Sequence, residues 1–74
     1  MSMNYLRSGV PIASLDVPGL GLATKGLDVI HPVFGRGTIA DVVRFRDGKH
    51  ALSVTFQQVG NKLLAPEYAR LRLP

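Results

Sequence analysis

The side chains available for chemistry in this 74-residue chain are nine Lys and Arg, two His, five carboxylates and no cysteine. The missing thiol excludes a Cys nucleophile, a thiolate zinc site and any disulfide, so the core must hold without a staple. His31 and His50 alone cannot form a structural zinc site, and His31, just before Pro32, reads as a hydrogen-bonding turn residue. Asp16, Asp28, Asp41, Asp47 and Glu67 have no spacing that sets two carboxylates on one helix face for acid/base work. Ser53 sits in an extended run with no nucleophile elbow around it. Gly19-Leu-Gly-Leu-Ala-Thr24 imitates the start of a dinucleotide fingerprint, but Thr24 stands at the third glycine and no βαβ unit surrounds it. A phosphate cradle at Gly35 and Gly37 would need a following helix N-terminus, and Thr38-Ile39 open a strand instead. Five aromatic residues are too few for a methyl-lysine cage beside a core. The expectation is a non-enzyme with no metal and no cofactor, for which binding is the default in a chain too short to hold both a core and a deep pocket.

The charge is more informative. A net +4 suggests a negatively charged partner, either nucleic acid or an acidic protein surface. Arg44, Arg46, Lys49 and His50 cluster within seven positions, and with Arg36 they could make one basic edge. Alternating exposed charges are also how a hairpin stays soluble and an edge strand avoids aggregation. Binding of single strands would call for solvent-facing aromatics among the cations; Phe45 and Tyr68 are the candidates, and both are expected to pack inward.

The elements that must position these groups are mostly extended. In His50–Gln57, Leu52, Val54 and Phe56 alternate with Ala51, Ser53 and Thr55, the period-2 pattern of a strand with one buried face. In the preceding Gly/Pro-free run, residues 38–47, Val42 breaks the alternation, as a β-bulge near Ala40-Asp41 would. Asp47-Gly48 between the two runs predicts a two-residue type I′ hairpin turn. Asp28–His31, Lys62–Leu64 and Arg70–Arg72 are three further strand candidates, and Pro66–Ala69 can form one helical turn with Pro at its first position. Ile39, Leu52, Val54, Phe56, Leu64 and Leu71 are the expected core, with Phe34 plugging one end. Residues 1–26 differ in composition: four Gly, two Pro and three charges read as an irregular arm. Val10, Ile12, Leu15, Val17, Leu20 and Leu22 make that arm too apolar for a solvated linker, so part of it should pack on the domain or on a second copy. No apolar run exceeds three residues, which leaves no transmembrane candidate, and the absence of cysteine fits a cytoplasmic protein. The expected fold is all-β: a small SH3-like barrel of about five short strands with one helical turn, residues 27–74, preceded by the arm, residues 1–26.

Residues 27–71 resemble the Tudor-like C-terminal domain of UvrD/PcrA-type DNA helicases. The residues that carry the resemblance are Val29, His31, Pro32, Phe34, Gly35, Gly37, Thr38 and Ile39, then Val54 and Phe56, then Gly60, Lys62 and Leu64, and finally Tyr68, Ala69 and Leu71. The resemblance implies an SH3-like docking module whose partner is RNA polymerase or another transcription or repair protein. It also places Lys62 on the contacting face, where a core strand has no structural need for an ammonium. No Walker A motif occurs in the chain, so no ATPase activity is implied. The leading expectation is therefore protein docking through Lys62 and Arg36, with direct nucleic-acid binding through Arg44, Arg46, Lys49 and His50 as the alternative. A homo-oligomer joined through the N-terminal arm is the third reading.

Overall fold

Residues 9–74 are described by the structure, a computed structural model. Seven strands follow in chain order: β1 (Gly9–Pro11), β2 (Ser14–Val17), β3 (Gly21–Thr24), β4 (Asp28–His31), β5 (Gly35–Phe45), β6 (His50–Phe56) and β7 (Gly60–Leu64), with a 3-10 turn over Pro66–Tyr68. The fold is all-β, with no α-helix among the described residues. One sheet runs β1-β5-β6-β7 with β4 also on β5, and β2-β3 form a second, two-stranded sheet.

Long β5 is the spine. One of its edges pairs with β6, while the other takes β4 near its start and β1 near its end, every pairing antiparallel. The expected bulge is present: the β5–β6 register shifts between Ile39 and Asp41. One extra residue reverses the phase of the pleat. Gly37 and Ile39 therefore face the core before the bulge, and Val42 after it. The concave face carries Val29, Ile39, Val42, Leu52, Val54 and Phe56, all buried, with Leu64 packed at the margin.

Residues 9–26 are not irregular, since they carry β1, β2 and β3, and part of the stretch packs on the domain as its apolar residues led one to expect. Val17, Leu20 and Ala23 are buried in the same core as β5 and β6. Pro and Gly occupy positions where strands tolerate them. Pro18 and Gly19 are the central residues of a turn in which the Leu20 N–H donates to the Val17 carbonyl at 3.0 Å, and Gly19 takes the positive φ of 81° that a type II turn requires. Pro11 ends a short edge strand. Beyond β3 the chain is tied to the spine, since the Gly26 N–H donates to the Ile39 carbonyl and the Ile39 N–H to that of Leu27. Residues 1–8, where that arm was expected to begin, lie outside the described residues.

Three other expectations change. The sheets do not close into a barrel: Arg70–Arg72 makes one bridge, Ile30 to Arg72, instead of a strand, and β7 pairs with β6 alone among the described strands. The β5–β6 turn is not a two-residue type I′ turn. Phe45 and Lys49 close a three-residue loop, with the Gly48 N–H on the Phe45 carbonyl at 3.0 Å and only Gly48 at positive φ. This is a type I turn followed by a glycine bulge. Lastly, β6 is buried on both faces at its middle, with Ala51 and Ser53 covered as well as Leu52 and Val54. The Ser53 hydroxyl is satisfied there by Asn61 Nδ2, which donates at 2.9 Å.

Candidate functional site

At one end of the concave face three rings meet. His31 and Phe34 stack with centroids 4.4 Å apart, Phe56 meets His31 edge-on at 5.8 Å, and Phe34 lies 5.2 Å from Phe56. His31 builds this end through the backbone, because its Nδ1 accepts the N–H groups of Val33 (3.0 Å) and Phe34 (3.1 Å) and so closes the β4–β5 turn. Nδ1 must be unprotonated to do so, and burial of the ring, followed by the nearby charge of Arg70, lowers the imidazole pKa from its ordinary value. The expectation of a hydrogen-bonding turn histidine is met. Gly37 makes room for Phe56: a Cβ there would lie 2.7 Å from Cδ1 of that ring and 3.0 Å from the Thr55 carbonyl oxygen.

Lys62 joins this end from β7. It is Val54's partner in register, and cross-strand partners share a face, so its stem lies on the concave side. Its Nζ stands 5.5 Å from the centroid of Phe34, within cation–π range, and the side chain is half-buried. Arg70 contributes a second cation that the sequence did not single out. It takes a left-handed φ of 54°, which leaves Arg70 exposed between the buried Ala69 and Leu71.

Arg36 does not join Lys62. It is one residue from core-facing Gly37 and pairs with Ile30, so the pleat sends it to the opposite, convex face. Nor does it extend the hairpin cluster, for Arg44 lies eight positions further along β5, about 26 Å at strand rise. The expected single basic edge is two separate regions.

The β5–β6 hairpin brings its four basic residues together as expected, but divides them. Arg44 and His50 are partners in register, while Lys49 pairs across the loop with Phe45. Asp47 is committed to the turn, accepting the Lys49 N–H at 3.0 Å. Lys49 and His50 line a cleft of about 320 Å³ together with Asp16 and Glu67. Arg44 and Arg46 line another, of about 220 Å³, with Val10 and Phe45. Phe45 is half-buried, whereas Tyr68, expected inside, is 82% exposed. In a three-residue-per-turn helix positions i and i+3 align, so Pro66 and Ala69 take the inward side and Tyr68 turns out.

Comparison with known proteins returned no matching family model, no matching curated protein and no matching solved structure.

Proposed function

We propose that this chain is a non-catalytic docking module of SH3-like, Tudor-like type, which binds a protein partner through β7 and the cationic end beside it. One observation carries the reading: among the described strands β7 has one edge without a partner, next to Lys62, whose ammonium is held over Phe34 at the rim of the core. A free edge offers backbone N–H and C=O groups to an extended segment of a partner, and a charge at its centre selects among such segments. The resemblance makes RNA polymerase, or another transcription or repair protein, the lead candidate. Arg36, on the convex face, falls outside this surface.

The test is the affinity of the purified chain for bacterial RNA polymerase, measured by biolayer interferometry. Lys62→Ala should weaken binding roughly tenfold, the loss of one well-placed charged contact, with an unchanged melting curve. Equal affinity of the variant would remove Lys62 from the interface, and no binding by the parent chain would remove this partner.

A further inference from the structure

We propose that the cleft at the tip of the β5–β6 hairpin is a site for single-stranded nucleic acid, distinct from the β7 surface, in which a base stacks on Phe45 and Arg44 and Arg46 hold the flanking phosphates. The cleft is lined by Val10, Arg44, Phe45 and Arg46, with no carboxylate among its described lining residues. The contrast with the other side of the tip decides between the two. There Lys49 and His50 share their cleft with Asp16 and Glu67, whose negative charge opposes an anion.

The residue types suit a polyanion with planar bases. Guanidinium groups bind phosphate in a bidentate way and stack on planar groups, which a lysine ammonium does not. Arg44 and Arg46 precede and follow Phe45 in the chain, Arg44 within β5 and Arg46 at the first position of the turn, and both line the cleft with it. Phe45 is half-buried, and its register partner Gly9 brings no side chain against it. At about 220 Å³ the cleft is smaller than a dedicated small-molecule pocket, roughly 300 Å³ or more, and suits one unit of a polymer that continues past it. Stacking without a hydrogen-bonded base edge is tolerant of sequence, so little base preference is expected.

The experiment is fluorescence anisotropy of the full chain with labelled oligo(dT), labelled oligo(rU) and a labelled duplex over a salt series. Both single strands should bind more tightly than the duplex. The double variant Arg44→Gln/Arg46→Gln should lower the magnitude of the slope of log affinity against log salt by about 1.4, two phosphates at about 0.7 each. Phe45→Leu should weaken binding roughly tenfold at unchanged slope, and Phe45→Trp should retain it. Lys62→Ala should leave oligonucleotide binding unaltered, which separates this site from the docking surface. Independently of any variant, oligo(dT) added to the isotopically labelled parent chain should move the amide resonances of Arg44, Phe45 and Arg46. The proposal is overturned if the parent chain binds neither strand at low salt, if the duplex binds as tightly, if a folded Phe45→Leu binds like the parent, or if the resonance changes fall elsewhere.

Discussion

An imidazole nitrogen that accepts two backbone N–H groups has no room for a proton of its own. His31 is in that position, and its pKa in the folded chain lies below the 6.5 of an ordinary histidine. The unfolded chain therefore takes up the proton first, so the contribution of His31 is complete above pH 6.5 and declines as pH falls toward the folded-state pKa. Chemical denaturation from pH 7.5 down to 5 should show this decline, and His31→Gln should remove that part of it. Gly37 is constrained in a different way. Its would-be Cβ meets a fully buried ring and a strand carbonyl, neither of which can swing aside, so Gly37→Ala should cost about 1–3 kcal/mol, seen as a melting point several degrees lower. His31 could be read from the sequence because Pro32 marks the turn it closes. Tyr68 could not, because the phase of a three-residue helical turn follows from its contacts and not from its composition. Lys62 stood out in the sequence as a cation among strand residues. That it lies over Phe34, and that Arg36 faces the other way, depends on the pairing register and the phase of the pleat.

Among the elements, the β5–β6 hairpin shows most clearly what local pattern does and does not determine. Alternation located β6 and the break in alternation located the bulge, since both are periodicities along one strand. The turn type was missed because Asp-Gly serves two geometries that differ by one loop residue. The type I turn with a glycine bulge lets Asp47 keep a negative φ, and its carboxylate then accepts the Lys49 N–H. Gly48, at φ 86° with open space around its missing side chain, bears the whole conformational requirement. Gly48→Ala should therefore destabilise by about 1 kcal/mol and Gly48→Asn by less, measured by urea denaturation, because asparagine tolerates the left-handed region better. A clash would reverse that order, since asparagine is the larger residue.

For the whole molecule, the division at residue 26 suggested by composition does not follow the core. Punctuation by Pro and Gly suggested an irregular arm, while the apolar residues in the same stretch reported the packing. Val17, Leu20 and Ala23 complete the core, and burying a Val and a Leu contributes roughly 3–6 kcal/mol together. That is comparable with the entire stability of a small domain. A chain restricted to residues 27–74 should therefore fail to fold cooperatively, with circular dichroism showing no sharp thermal transition, whereas a detachable arm would leave the transition in place. The β7 edge has one more consequence. Two copies of this chain that tried to continue the sheet edge to edge in an antiparallel register centred on β7 would bring Lys62 against Lys62, the single charge of that strand meeting itself. One ammonium thus disfavours that pairing of two copies at β7.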